Sequence, residues 1–206
     1  MRKIDGFAQF DFLGGVPADY DLGHGVTADE AKKFVSANTH RYIPKFATLN
    51  KKNKFSWNWM AFLFPSGWML SRKMYKAGII AAILTIAASC LGYPLTLKLY
   101  SFGFESTAFL ADNIGSLADY IPQIGSAAII LAFLGTLFDL GIRIYSAIMG
   151  DYIYKNYSIG TIVEIKKQSD DRITAYRKKG GVSMLLFFLG IMIVQYGSLI
   201  VTLFIK

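Results

Sequence analysis

Gly78 to Leu97 is a run of 20 residues without a charge. As a helix it rises roughly 30 Å, the thickness of a bilayer's hydrocarbon core. Two more runs share this character: 124–149, interrupted by Asp139 and Arg143, and 182–205, whose one strongly polar side chain is Gln195. Lipid offers backbone amides no water to bond, so runs of this kind must be helical. The sequence therefore predicts an all-α membrane protein with three transmembrane helices, at 78–97, 124–149 and 182–205. A hydrophobic content of 53% and an aromatic content of 15% fit that class better than a soluble domain of 206 residues. Ala88 and Gly92 form a small-xxx-small pair that would let another helix approach the first span closely, and Pro94 marks its far end.

A fourth apolar stretch is too short to span. From Phe55 to Ser71 the chain is uncharged, with Lys51, Lys52 and Lys54 before it and Arg72, Lys73 and Lys76 after it. All three tryptophans lie here, and Pro65-Ser66-Gly67 interrupts any helix in its middle. Amphipathic rings flanked by basic residues are what a membrane–water interface selects. The expectation is a re-entrant or interfacial hairpin over 55–76, with Trp57, Trp59, Trp68, Arg72, Lys73 and Lys76 at the interface.

The run WNWMAFLFPSGWML with RKMY after it resembles the signature of a family of uncharacterised bacterial inner-membrane proteins, a domain of unknown function. GVTADEAKKFVSANTHRYIPKF resembles that family's helical lead-in, and KKGGVS precedes a last hydrophobic helix, as it does there. The resemblance covers most of the chain. It implies residence in a membrane and no particular activity.

Lysine and arginine are distributed unevenly. If the hairpin does not cross, 19 of the 22 lie on one side, in 1–56, 72–76 and 150–181, and 2 on the other. The positive-inside rule makes the heavy side the cytoplasm, with the N-terminus there. A crossing hairpin would divide the same residues 10 against 11, with no asymmetry to orient them. In a membrane protein a net charge of +8 points to a bilayer with anionic headgroups as partner. No RNA-binding aromatic motif or helix-turn-helix pattern accompanies the charge, so no nucleic acid partner is expected.

Outside the spans, 1–26 is rich in turn formers and reads as a flexible N-terminal tail. MRKIDGFAQF has no apolar core, so no cleaved signal peptide is expected. Thr27 and Glu30 have capping-box spacing and open an amphipathic helical lead-in over 27–54 on the cytoplasmic side. Pro44 predicts a kink or restart near Tyr42-Ile43. Residues 106–121 alternate as an amphipathic helix at the outer surface, and 150–181 form a cytoplasmic loop that opens on a tyrosine belt, Tyr152, Tyr154 and Tyr157.

Chemistry is sparse. Cys90 is the one cysteine, which rules out an internal disulfide and a cysteine metal site. His24 and His40 stand 16 positions apart with no ligand partner, so no metal is expected. No phosphate loop, nucleophile elbow or zinc-protease motif occurs, so no cofactor and no catalytic residues are assigned. Asp139 and Arg143 are spaced i, i+4 with the acid first, the favourable order for a helical ion pair, and read as structural. The reading that follows is a non-enzymatic multi-pass protein of a bacterial cell membrane that organises a partner or senses the envelope. The alternative is a small oligomeric transporter or channel subunit, with Asp139, Arg143 and Gln195 along a polar path. Both admit a second copy or another membrane protein as partner.

Overall fold

The computed structural model describes residues 13–101, 122 and 124–204. The expected outer helix at 106–121 lies outside them. The described residues are helical apart from turns, extended linkers and one isolated bridge between Asp21 and Thr27. In chain order the helices are α1 (Ala28–Val35), α2 (Thr39–Thr48), α3 (Trp59–Leu63), α4 (Pro65–Ser71), α5 (Tyr75–Leu91), α6 (Tyr93–Ser101), α7 (Ser126–Gln168), α8 (Arg172–Lys179) and α9 (Met184–Phe204). The chain divides into two compact units, one comprising residues up to Ile80 with Arg143–Ile191, the other Ala81–Ile142 with residues from Met192 onward.

The first unit encloses a core of large aromatic and aliphatic side chains. The capping box forms at Thr27: its hydroxyl accepts from the Glu30 amide, and the Glu30 carboxylate accepts from the Thr27 amide. Burial would raise the Glu30 carboxyl, but that amide and the Lys166 ammonium outweigh it and hold it below the ordinary glutamate value. α1 buries Ala31, Phe34 and Val35, and α2 buries Tyr42, Ile43 and Phe46. Residues 13–26 correct the expectation of a flexible tail, because Leu13, Leu22 and Val26 are buried with this core. Their glycines serve tight turns. Gly14 has φ of 60°, and a Cβ there would lie 2.3 Å from the carbonyl oxygen of His40. That carbonyl belongs to the residue four before Pro44, which has no N–H to give it. The chain therefore does not break at Tyr42-Ile43. Pro44 sits inside α2, and the break falls earlier, where Ser36 and Asn38 adopt positive φ.

The apolar stretch 55–76 also departs from expectation. Its two arms are α3 and α4, joined at Phe64 with Pro65 opening the second. All seven residues of α4 are buried, so this arm is core and not a lipid-facing limb. It packs on the start of α9, with the Ser66 hydroxyl donating to the Gly190 carbonyl at 3.1 Å. A Cβ at Gly190 would lie 2.8 Å from Gly67 Cα.

The predicted loop at 150–181 is mostly helix, because α7 continues without interruption to Gln168 and α8 follows after a short turn. Charged residues after Met149 do not end the helix, since most of them are lysine and glutamate, good helix formers.

In the second unit the burial pattern is reversed. Small residues are enclosed (Ala81, Ala82, Thr85, Ala88, Ala128), while Ile83, Leu84, Phe133, Leu134, Phe138, Leu199 and Phe204 are exposed. A Cβ at Gly135 would lie 2.6 Å from the Ala88 carbonyl, so the small pair Ala88 and Gly92 does admit a close neighbour, α7. The first apolar run does not end at Pro94. α5 and α6 bend by 45° at Gly92 and continue. Among the described residues, two helices are long and apolar enough to cross a membrane, and a third if this bent pair is one span.

The Gly190–Gly67 approach leaves no room for a methyl group, whereas a Cβ on Gly160 meets nothing within 4 Å. Gly190→Ala is expected to destabilise the protein in detergent by about 1 to 3 kcal/mol, the usual cost of overpacking. Gly160→Ala is expected to be neutral or to stabilise by up to about 1 kcal/mol, from helix propensity. Thermal unfolding of both variants checks the contrast.

Candidate functional site

The chemistry of the first unit converges on Asp151, a carboxylate with no solvent exposure, carried by α7. Three donors meet it. Lys45 of α2 makes an ion pair with Oδ2, the Ser56 hydroxyl donates to the same oxygen at 2.8 Å, and the Asn58 amide donates to Oδ1 at 2.6 Å. A buried charge needs this degree of compensation, because desolvation costs several kcal/mol per ion.

The local sequence explains how two of the donors reach it. Residues 53–58 form no helix or strand, Asn58 is extended and exposure alternates along 54–58, as it does in extended chain, where successive side chains point to opposite faces. Ser56 and Asn58 turn inward. Phe55 (71% exposed), Trp57 (41%) and Trp59 (60%) turn outward. The Ser56 and Asn58 amides donate to the Ile148 and Ala147 carbonyls of α7, pinning the segment along that helix. Asn58 has a second role, since its Oδ1 accepts from the Met60 and Ala61 amides and caps α3. The outward rings of Trp57, Trp59 and Phe62 pack edge to face or tilted, with centroids 5.2 to 6.0 Å apart. Met60, Leu63 and Phe64 extend the exposed apolar surface.

Trp68 and Arg72, expected at the membrane interface, are instead inside the first unit, at 3% and 4% exposure. The Arg72 guanidinium lies over the rings of Tyr42 (4.4 Å) and Tyr154 (5.1 Å), a favourable site for a planar, weakly hydrated cation. Trp68 packs edge to face on Tyr154, and its indole N–H points to the Tyr42 hydroxyl at 3.4 Å. Tyr154 is therefore core and not part of a tyrosine belt. Lys73 is half-buried and donates to the Arg177 and Lys178 carbonyls at the end of α8. Burial holds its ammonium below the ordinary lysine value. Lys76 is exposed.

Asp139, Arg143 and Gln195, the three polar residues expected within spans, are placed differently from one another. Asp139 lines a cleft of about 250 Å³ in the second unit with Ser89, Gly92, Gly135 and Thr136. Gln195 is exposed and is not among the cleft's lining residues. Arg143, one turn after Asp139 on α7, donates to the Leu63 carbonyl at 2.8 Å in the first unit. No cluster of three or more metal-ligating side chains occurs among the described residues.

Sequence reasoning missed Lys45, Ser56 and Asn58 as partners of Asp151, which lie 93 to 106 positions away from it. A signal was present in the alternation Phe55-Ser56-Trp57-Asn58-Trp59, which has the period of extended chain and not of a helix.

Asp151→Asn is expected to destabilise the protein by about 3 kcal/mol, because Lys45 is left without its anion beside a partly desolvated site. Lys45→Met combined with Asp151→Asn is expected to recover part of that loss. Denaturant unfolding of the two single variants and the double variant measures the coupling.

A family model described as "Protein of unknown function (DUF2628)" matches residues 27–154, more than half of the chain. The match runs from the Thr27 cap to Tyr154 and takes in every residue of the Asp151 and Arg72 clusters. No curated protein and no solved structure matches the chain.

Proposed function

The chain belongs to this family of unknown function, DUF2628, and we propose that it is a multi-pass protein of a bacterial cytoplasmic membrane. Its first unit faces the cytoplasm and holds a partner protein at the membrane surface, without a reaction of its own. The observation that carries this reading is the opposite burial of the two units. The first encloses large aromatics and aliphatics and exposes others at its surface, among them Leu185 and Phe188 at the start of α9, while the second encloses mainly small residues, with Ile124 and Ile142, and exposes leucine, isoleucine and phenylalanine. Water would not tolerate that second surface, and lipid requires nothing else of it.

The side assignment rests on charge, 19 basic residues against 2. The non-catalytic reading is supported by how the first unit uses its charged groups. Asp151, Arg72, Lys73 and Lys166 are each committed to internal partners that hold elements together. Trp57 and Trp59, on the outer face of the extended segment, serve as interfacial anchors. A second reading is favoured by the polar cleft at Asp139, which gives an otherwise apolar unit a water-sized opening. Transport along it would require several copies, because three helices enclose no pore.

Topology tests the first reading. In a Cys90→Ala background, cysteines at Lys52 and Gln168 are expected to resist a membrane-impermeant maleimide in intact cells and to react after lysis. A cysteine at Ser116 is expected to react in both. Labelling of position 52 from outside would overturn the orientation.

A further inference from the structure

Four lysines of the first unit pair with an acid among the described residues, and the deeply buried Lys155 is not one of them. Lys33 pairs with Asp29, Lys45 with Asp151, Lys166 with Glu30 and Lys179 with Glu164. Lys155 is 8% exposed, more deeply buried than any of these four, yet among the described residues no carboxylate pairs with it. Its ammonium makes one hydrogen bond, to the Leu49 carbonyl at 2.6 Å. Asp21 acts on it only from beyond ion-pair distance, and the Asp21 carboxylate is engaged by the Gly23 amide at 2.8 Å. An ammonium has three donors, and a buried cation with one neutral partner is costly unless something else faces it.

What faces it is a cleft of about 340 Å³, lined by Lys155 together with His24, Asn50, Lys51, Tyr152 and Asn156, and walled by Leu22 and Ile159. Among the described residues no acidic side chain lines this cleft. Lys51 is exposed at its mouth, and His24 is held there by a turn in which it adopts φ of 57°. Two lysines, two asparagines, a histidine and a tyrosine thus line one small space, the Asn50 carboxamide being already engaged by the Lys52 and Asn53 amides. We propose that this cleft is a binding site for a phosphate group, carried by an anionic lipid headgroup or by a small soluble phosphate ester. A phosphate has enough acceptor oxygens to engage several such donors together, and charge-assisted hydrogen bonds are the strong ones. The volume takes the phosphate and a few further heavy atoms, and the apolar walls accommodate a short glycerol-like stem. Lys155 supplies the buried charge and Lys51 the outer one.

The test uses full-length protein in a neutral detergent. Binding of inorganic phosphate and of glycerol 3-phosphate is measured by calorimetry, and retention of phosphatidylglycerol against phosphatidylcholine by native mass spectrometry. Saturable binding of either soluble phosphate identifies a soluble ester as the source. Selective retention of phosphatidylglycerol without it identifies the headgroup. Lys155→Met is expected to weaken the binding at least about tenfold, the loss of one charge-assisted contact. The same change is expected to leave the melting temperature of the unliganded protein equal or higher, since an acid-free buried cation is removed. Lys51→Gln, at an exposed position that does not affect folding, is expected to weaken binding as well. Absence of binding to all of these probes overturns the proposal. So does binding that Lys51→Gln leaves unchanged.

Discussion

A carboxylate sealed from water has to be neutralised where it stands, and Asp151 is sealed completely. Its three donors come from α2 and from the extended segment before α3, so its demand for partners organises both. Once Ser56 and Asn58 are turned toward it, the pleat of extended chain leaves Phe55, Trp57 and Trp59 no choice but to face outward. Asn58 then caps α3, which fixes where Met60, Leu63 and Phe64 emerge. One buried charge thereby sets the outer aromatic surface of the first unit.

Arg72 repeats the device with aromatics in place of an acid. Stacked between Tyr42 and Tyr154, it joins α2 to α7 from the end of α4. Glycines at 67 and 190 then let α4 and α9 approach to backbone contact, where larger residues would hold them apart. Within the second unit the logic differs. There Gly135 against Ala88 brings α7 and α5 close, and the large apolar side chains are left for the surroundings. In lipid no hydrophobic force drives such side chains inward, so close packing of small residues is what remains to hold helices together.

Much of this was legible in the sequence, and the exceptions share a cause. Local signals held: the capping box at Thr27 and Glu30, the helical apolar runs and the small pair at Ala88 and Gly92 all depend on neighbours within one or two turns. Trp68 and Arg72 were misplaced because an aromatic-basic run has the same composition whether it meets lipid headgroups or a protein core. Their surroundings are set by Tyr154, more than 80 residues later. Leu13, Leu22 and Val26 follow no helical or strand period, so nothing in their spacing announces that residues 13–26 fold onto a core. The extent of α7 was hidden because charge after Met149 marks a change of surroundings, which the helix passes through unbroken.

Trp68 lies inside a protein core while Trp57 and Trp59, exposed, are proposed to meet lipid, and that difference is directly measurable. Three single-tryptophan proteins, each retaining one of these residues with the other two replaced by phenylalanine, would be reconstituted in bilayers containing brominated lipids. The expected result is strong quenching of the fluorescence of Trp57 and Trp59 and little change in that of Trp68. Equal quenching of all three, or quenching of Trp68 alone, would contradict the account.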